Sequence, residues 1–326
     1  MKRIHEKLRV LKRRLKPVPT QLVRSLAESL ENNTYGLPRI IHVETKTKCN
    51  GKCNFCAASV GQDTRPDITM SDALLDKIIN ELSTLKYSNR LSFYSNNEPF
   101  LDKRIFDIIA KARKAVPSAY LELKSNGTAL NYEKVCRIFE SGLDMLYIND
   151  YRSEGPNGEL STHKNIIAIK EELAKSRRFK GHYENGTYFT RVLISDRKET
   201  EVLGNRAGTS PNGMHLSQAM MKPCLRPFEM LTIDPTGKIG LCSEDLNFSE
   251  VMGNLTDSTI WEIWNSPAYN KVRKELLSGN RKIKSTCEKC DYKGFTHEIV
   301  SELSHSSQYS PFKHASQHPS LAPQNV

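Results

Sequence analysis

The chain has 326 residues, of which 38% are hydrophobic and 26% are charged. This composition excludes fibrous and wholly disordered classes, and no apolar run approaches the roughly 18 residues that a membrane-spanning helix needs. The net charge of +11 does not indicate a broad nucleic-acid-binding face, because residues 1–24 hold nine Lys or Arg and one acid, which leaves only +3 for the remainder.

Residues 1–37 are predicted to form a basic arm. Its apolar residues recur at helical spacing, at Ile4, Leu8, Leu11 and Leu15. This spacing favours a solvated amphipathic helix, with contact to an anionic membrane surface, RNA or a partner as alternatives. The arm lacks the continuous apolar core of a secretory signal, so we expect a cytoplasmic protein whose cysteines stay reduced.

Residues 38–223 alternate short apolar runs with segments of helical periodicity. The predicted strands are 39–44, 91–94, 120–124, 145–148 and 188–194, and the predicted helices are 71–85, 102–115, 132–141 and 164–175. Ser71 is the expected N-cap of the first of these helices. The alternation favours an α/β fold with a parallel sheet, as a partial or full (β/α) barrel with its chemistry at the carboxyl ends of the strands.

The pattern changes towards the end of the barrel. The polar segment 196–223 indicates a linker or active-site loop, and the Asp-Pro-Thr-Gly sequence at 234–237 is typical of a hairpin turn. Two helices are predicted, at 260–264 and 267–277. We therefore expect a second unit at residues 224–300, followed by a Ser-, His- and Pro-rich tail, 301–326, that is disordered.

Three of the eight cysteines follow the first predicted strand directly, in the pattern Cys49-x3-Cys53-x2-Cys56. Three close thiolates on one loop suit an iron–sulfur cluster. A four-iron cluster with three protein ligands keeps one iron open, as catalytic metal sites require. A zinc site would need a fourth ligand, and the nearest candidate, His42, is better explained as a packed histidine of the strand.

A second set of cysteines lies after the barrel, namely Cys224, Cys242, Cys287 and Cys290. The hairpin places Cys242 at a strand end, and Cys287-x2-Cys290 supplies a close pair, so the four thiols can close on one metal centre. These residues alone leave zinc and an iron–sulfur cluster open. Cys136, on a predicted helix, is expected to be a buried core thiol.

The first cysteine motif, together with polar residues after successive strands, resembles the radical SAM superfamily over roughly residues 39–195. The resemblance implies that the three cysteines hold a [4Fe–4S] cluster and that S-adenosylmethionine (SAM) binds its open iron. It also implies reductive cleavage of SAM to a 5′-deoxyadenosyl radical, which abstracts hydrogen from the substrate.

The same resemblance assigns SAM contacts to the strand ends. The segment Ser95–Pro99 takes the place of a Gly-Gly-Glu-like segment, with asparagine in place of both glycines. The implied contacts are Phe55 at the adenine, Asn97 and Glu98 at the methionyl amine, Ser125 and Asn126 at the ribose or carboxylate, Asn149 at the ribose, and Arg191 at the carboxylate.

The segment from Cys224 to Cys290, with Gly253-Asn254-Leu255 and the helix 260–264 between them, resembles the SPASM/twitch extension of this superfamily. Four cysteines instead of about seven imply the twitch form, with one auxiliary [4Fe–4S] cluster that conducts electrons. The cysteine spacing is most similar to that of twitch aminocyclitol dehydrogenases. In these enzymes a substrate-contacting arginine falls about where Arg206 lies, and we expect Arg206 to anchor substrate, because a guanidinium is in general a poor base.

Two clusters suggest a two-electron oxidation in which the second cluster accepts an electron. The predicted function is therefore a radical SAM oxidoreductase that oxidises a sugar or aminocyclitol-type alcohol. A small-molecule substrate and an electron donor such as flavodoxin or ferredoxin are the expected partners. Alternatives are a peptide-modifying maturase, a redox-neutral sugar epimerase and, as a non-enzyme, a zinc-stapled RNA-binding protein.

Overall fold

The computed structural model describes residues 20–32, 36–155, 157, 159–179, 187–189, 191–198 and 204–294. Most of the predicted basic arm and the whole predicted disordered tail lie outside the described residues. Within the described part of the chain, no helix combines the length and apolar character that crossing a membrane would require.

The described chain contains a mixed, mainly parallel sheet. Its strands are β1 (Ile40–Val43), β2 (Arg90–Ser92), β3 (Tyr120–Ser125), β4 (Met145–Glu154), β5 (Leu160–Ser161), β6 (Thr187–Phe189), β7 (Val192–Lys198), β8 (Met230–Ile233), β9 (Lys238–Gly240) and β10 (Val251–Asn254). Strands β8, β1, β2, β3, β4 and β7 run parallel in that spatial order, and β9, β10 and β6 extend the two edges antiparallel. The sheet is open, so the predicted α/β class and partial barrel are confirmed.

The helices of the described chain are α1 (Thr20–Glu31), α2 (Asp72–Thr84), α3 (Ile105–Ala115), α4 (Tyr132–Glu140), α5 (Lys164–Lys175), α6 (Arg226–Glu229), α7 (Ile260–Trp264), α8 (Pro267–Leu277) and α9 (Ser285–Lys289). Of these, α2, α3, α4 and α5 lie between successive parallel strands from β1 to β7, as βα units. The predicted cap of α2 is confirmed, since the side chain of Ser71 accepts a hydrogen bond from the Leu74 N–H at 3.2 Å. A cap satisfies backbone donors that the first helical turn leaves open.

The two faces of the sheet differ in polarity. Ile41, Leu91 and Leu121 occupy matched positions on β1, β2 and β3, are fully buried and belong to the hydrophobic core under the helices. The neighbouring matched positions, His42, Ser92 and Glu122, form a polar row on the opposite, concave face. Because side chains alternate along a strand, one pattern fixes both the core and a polar barrel interior.

The predicted strand 188–194 is wrong. The chain forms two antiparallel strands there, β6 and β7, and the backbone of Arg191 between them has φ +69°. Both β7 and β4 extend further than predicted, because they pair with each other from Leu146↔Val192 to Arg152↔Lys198. The added residues are mostly polar, so the hydrophobic pattern did not predict them, but their backbones still form the hydrogen bonds of the sheet.

The hairpin β8–β9 forms as predicted, with Asp234 Oδ1 accepting hydrogen bonds from the N–H groups of Thr236 and Lys238, both at 2.9 Å. Strand β8 pairs in parallel with β1, so the C-terminal segment continues the barrel sheet. The sheet therefore continues across the predicted domain boundary between residues 223 and 224, and that boundary stays a prediction.

Candidate active site and auxiliary cysteine site

A cavity of about 190 Å³ lies at the carboxyl ends of β1 to β4. The loop after β1 contributes three thiols, and the segments after the next three strands contribute polar side chains. The lining includes Cys49, Cys53, Cys56, Phe55, Asn97, Glu98, Ser125, Asn126, Asn149 and Arg206. Parallel strands bring their carboxyl ends to one edge, so residues that are far apart in sequence meet at this cavity.

Glu98 is a buried anchor of this edge, with 1% of its surface exposed. One carboxylate oxygen accepts hydrogen bonds from Ser125 Oγ at 2.8 Å and the Phe100 N–H at 3.2 Å, and the other accepts from the Asn126 N–H at 2.8 Å. Burial raises the pKa of Glu98, and these three donors partly offset that effect. The Glu98 N–H also donates to the Lys48 carbonyl at 3.1 Å, next to the cysteine loop.

Asn126 connects the cysteine loop to the loop after β3. Its Nδ2 donates to Asn50 Oδ1 at 2.9 Å and lies 3.7 Å from the Cys49 sulfur, while its Oδ1 accepts from the Thr128 N–H at 3.0 Å. The turn requires Gly127, whose φ is +75°. The side chain of Asn126 is thereby fixed beside the first thiol.

Three successive residues after β2 have buried polar atoms with no hydrogen-bond partner among the described residues: Ser95 Oγ, Asn96 Nδ2 and Asn97 Nδ2. All three residues line the cavity. A buried polar group left unpaired costs roughly 1–3 kcal/mol. A polar ligand in the cavity would remove that cost, and the donor set fits a cosubstrate that carries carboxylate and hydroxyl oxygens.

An aromatic wall closes one side of the cavity. The rings of Phe55 and Tyr151 lie 5.3 Å apart, and Asn149 Nδ2 donates to the Tyr151 hydroxyl at 3.1 Å. The Phe55 carbonyl accepts from Ser210 Oγ at 3.0 Å, which ties the wall to the segment after β7. A flat ligand group such as adenine fits beside such a wall.

Arg206 occupies a strained turn between the two cysteine sets. Arg206, Ala207 and Gly208 have successive φ values of 47°, 53° and 86°, a left-handed conformation that non-glycine residues rarely adopt. Nη2 of Arg206 donates to Asn96 Oδ1, in the wall of the cavity, and to the Ser243 carbonyl at 2.8 Å. Its Nε lies 3.9 Å from a carboxylate oxygen of Glu244.

The expectation for Arg191 is wrong. This residue directly precedes β7, at the end of the sheet opposite to the cysteines, and it does not line the cavity. Its guanidinium donates to the carbonyls of Leu143 and Asp144 and lies 4.6 Å from the Phe139 ring centroid. Arg191 therefore holds the segment that precedes β4. It lies away from the cavity because the chain reverses between β6 and β7.

The four later cysteines surround a second cavity of about 20 Å³. Cys224 precedes α6, Cys242 follows β9, and Cys287 and Cys290 lie on α9 and at its end. Burial raises the pKa of Cys287 and of Cys290 to about 12. Thiols in this environment hold their protons until a metal centre displaces them, which makes metal binding pH-dependent.

Cys136 is half-buried against the core and lines neither cavity.

The donors of both cysteine sets fit iron–sulfur clusters. Each thiol set lines a cavity, Cys49, Cys53 and Cys56 the first and the four later cysteines the second. Thiolate is the usual cluster ligand. His42 is packed as predicted: its Nδ1 lies 3.0 Å from the Tyr94 carbonyl, and it lines neither cavity.

Several cavity residues were not among the contacts predicted from the sequence, above all Tyr94, Asn96, Lys124 and Tyr151. A usable signal existed for Lys124, because it lies two residues after Glu122 and so shares the concave face of β3. No comparable signal marked Asn96 as the partner of Arg206, since their contact joins segments that are 110 positions apart.

Comparison with known proteins agrees with this geometry. A profile of the radical SAM superfamily matches residues 43–149, and a profile of the SPASM iron-sulfur cluster-binding domain matches residues 224–291. The chain is 26% identical over 254 residues to the S-adenosyl-L-methionine-dependent 2-deoxy-scyllo-inosamine dehydrogenase of Niallia circulans, an alignment that covers 77% of this chain and 92% of the relative.

Two solved structures extend the comparison. The crystal structure of BtrN in complex with AdoMet and 2-DOIA has a TM-score of 0.65 and 25% identity, over 79% of this chain and 94% of that one. SuiB of Streptococcus suis, bound to the precursor peptide SuiA, has a TM-score of 0.52 and 11% identity, over 84% of this chain and 80% of that one, which shows a likeness of fold alone.

Proposed function

We propose that this chain is a radical SAM enzyme with a SPASM-type iron–sulfur domain, and that it oxidises a secondary alcohol of an aminocyclitol or related sugar to a ketone. The profile matches at residues 43–149 and 224–291 support the proposal. The observation that carries the proposal is the position of Arg206. This residue lines the cavity of the first cysteine set, and it is hydrogen-bonded to Ser243, next to Cys242 of the second set. A substrate held there lies between a site for SAM and a site for electron transfer.

The two sets of thiols would hold the clusters, Cys49, Cys53 and Cys56 the first and Cys224, Cys242, Cys287 and Cys290 the auxiliary one. When bound, the clusters and SAM supply hydrogen-atom abstraction from the substrate carbon and an acceptor for the remaining electron. The alcohol becomes a ketone, one hydrogen atom appears in 5′-deoxyadenosine, and the hydroxyl proton is released. One SAM is consumed for each ketone formed.

The residues of the first cavity would bind and orient SAM. Glu98 keeps acceptor capacity for the methionyl amine, and charge-assisted hydrogen bonds to a cation are the strong ones. Phe55 with Tyr151 would flank the adenine, and Asn149 would contact the ribose. Asn97 Nδ2, an unpaired donor, would bind a SAM oxygen.

Ser125 and Asn126 would position SAM mainly through the network that they form with Glu98. Arg206 would orient the alcohol through its guanidinium, whose planar array of donors suits two oxygens at once. Its strained backbone is held by contacts on both sides, which favours a fixed orientation.

The partners and location follow from the chemistry. An electron donor of the flavodoxin or ferredoxin type would deliver the electron that SAM cleavage needs, and the reduced, thiolate-bound clusters favour the cytoplasm. The relative from Niallia circulans is a 2-deoxy-scyllo-inosamine dehydrogenase, which supports a polyhydroxylated ring as the substrate class.

The test is anaerobic turnover by reconstituted enzyme with SAM, a reductant and a panel of aminocyclitols and sugars, including 2-deoxy-scyllo-inosamine. We expect equimolar 5′-deoxyadenosine and ketone, with deuterium moving from the oxidised carbon into 5′-deoxyadenosine. Formation of 5′-deoxyadenosine without a ketone from every alcohol would refute the dehydrogenase, and recovery of an epimer would favour the epimerase. Colourless protein that contains zinc would refute the assignment of both iron–sulfur clusters, and with it the proposed reaction.

A further inference from the structure

The side chain of Lys124 brings an ammonium group to the wall of the first cavity. Lys124 lies on the concave face of β3, is accessible to solvent, and lines the cavity with Tyr94 and Asn96. Its Nζ lies 5.4 Å from the centroid of the Tyr94 ring and 5.3 Å from that of Tyr147. Through Nζ it makes no ion pair or hydrogen bond with the residues that the structure describes.

The nearby carboxylate is already committed to other donors. Glu122, on the same face of β3, accepts hydrogen bonds from Ser92 Oγ at 3.0 Å and the Tyr94 hydroxyl at 3.2 Å, and it pairs with Arg90 at 3.3 Å. With Arg90 and Glu122 balanced, Lys124 leaves this part of the barrel with an excess of positive charge. The two rings hold the ammonium in place by cation–π contact and leave its three N–H donors available.

The rest of this wall also presents donors. Asn96 Nδ2 and Asn97 Nδ2 are buried and unpaired in the described structure, and Arg206 lines the same cavity. Glu98, also in the lining, accepts from three donors of the chain itself, and the proposed function assigns its remaining acceptor capacity to the methionyl amine of SAM. A wall of donors with a fixed ammonium is complementary to an anion that brings acceptor oxygens.

We propose that Lys124 anchors an anionic group of the substrate, so that the alcohol oxidised here belongs to a polyhydroxylated ring that also carries a carboxylate or a phosphate. This inference rests on the proposed dehydrogenase and narrows its substrate class. Lys124 would act as a specificity-determining residue, binding the anion while Arg206 orients the alcohol. The carboxylate of SAM has the same chemistry, and the experiment separates the two sources.

The experiment is calorimetric titration of the anaerobic, reconstituted enzyme with SAM bound and no reductant, so that no turnover occurs. The probes are glucuronate, glucose 6-phosphate, glucose and glucosamine. We expect both anionic sugars to bind about tenfold or more tightly than glucose, because a charged partner strengthens a hydrogen bond in a partly dry site. Lys124→Met should reduce their affinity to that of glucose, whereas Lys124→Arg should retain most of the preference.

The matched control is Lys103→Met, which removes one exposed positive charge outside the cavity lining and should leave all four affinities unchanged. Equal affinity for anionic and neutral sugars, absence of binding by both anions, or preference for glucosamine would overturn the proposal. A Lys124→Met variant that loses affinity for SAM and not for the sugars would overturn it in favour of the SAM carboxylate. Since binding is measured without turnover, failure to form a ketone would count against the proposed function alone.

Discussion

Nη2 of Arg206 donates a hydrogen bond to the carbonyl of Ser243 at 2.8 Å, which places the arginine one residue from Cys242. The same nitrogen donates to Asn96, whose own N–H donates to the carboxylate of Glu44 at the end of β1. A continuous set of hydrogen bonds thus joins the first cavity to the loop that carries an auxiliary thiol. We expect the alignment of substrate with both sites to depend on this one guanidinium.

Removing that guanidinium should uncouple the two halves of the reaction. Arg206→Ala removes the guanidinium that would orient the alcohol, and one hydrogen bond to a charged group is worth about 1.5–3 kcal/mol, so ketone formation should fall by about tenfold to a hundredfold. The proposed SAM contacts, such as Glu98 and Phe55, do not include Arg206, so 5′-deoxyadenosine should still form. The measurement is the ratio of ketone to 5′-deoxyadenosine, which should fall from near one.

Arg206→Lys is the matched variant, because it keeps the charge and loses the planar array of donors. We expect it to recover only a small part of the ratio. An Arg206→Ala enzyme that forms ketone and 5′-deoxyadenosine in the wild-type ratio would show that the arginine does not orient the substrate.

Most of the first cavity could be foreseen from the sequence, for a physical reason. The βα alternation predicts parallel strands, and parallel strands carry their following loops to one edge, so Cys49, Glu98, Asn126 and Asn149 had to meet whatever the details of packing. The two periods of hydrophobicity, near 2 in strands and 3.6 in helices, were also enough to place most of the helices.

Two kinds of feature could not be predicted from the sequence: a reversal of chain direction, and contacts between residues that are far apart in the chain. Nothing in residues 187–198 reveals that the chain reverses before Val192, and that reversal moves Arg191 to the wrong end of the sheet. Strand alternation places Lys124 on the same face as Glu122, but the sequence does not show that the fold places the rings of Tyr94 and Tyr147 beside its ammonium group. Such side chains acquire a role only from neighbours that the fold supplies.

The two cysteine sets should bind iron independently. Replacing Cys49, Cys53 and Cys56 together by alanine should lower the iron content from about eight to about four per chain, since each cubane holds four irons. Replacing Cys287 and Cys290 should remove the other four and leave SAM binding largely intact. Iron analysis and the visible spectrum of anaerobically purified protein give the answer.

Cys136→Ser is the control, because this thiol lines neither cavity, and it should keep the full iron content. Loss of all iron from the triple variant, in protein that remains folded, would contradict independent sites. Retention of about eight irons in that variant would contradict the assignment of the first set.

Gly127 should tolerate no side chain. A Cβ atom there would lie 2.8 Å from side-chain atoms of Ile148 and Ile166, and the φ of +75° adds a backbone cost. Overpacking a core costs typically 1–3 kcal/mol, and the left-handed conformation costs about 1 kcal/mol more. Gly127→Ala should therefore lower Tm by several degrees and weaken SAM binding through displacement of Asn126.

Gly61→Ala separates the two costs, because Gly61 has φ +80° and no atom within 4 Å of the added carbon. We expect it to lower Tm by less and to leave SAM affinity unchanged. Similar losses of Tm and of SAM affinity in the two variants would mean that close packing at Gly127 does not position the loop.

His42 should make the fold sensitive to acid. Burial lowers its pKa from 6.5 to about 4, because the concave face disfavours the imidazolium form. Between about pH 6.5 and pH 4 the unfolded chain binds a proton at this residue and the folded chain does not, so the free energy of unfolding falls as the pH falls. From pH 7 to pH 5 this loss amounts to about 2 kcal/mol.

The measurement is the Tm of wild type and of His42→Gln under anaerobic conditions at pH 7 and pH 5. Glutamine does not titrate, so the variant should lose less Tm than wild type on acidification, whatever its stability at pH 7. His215→Gln, which replaces an exposed histidine, should follow wild type at both pH values. If wild type and His42→Gln lose the same Tm between pH 7 and pH 5, the imidazole of His42 is protonated in the folded protein and the concave face must accommodate its charge.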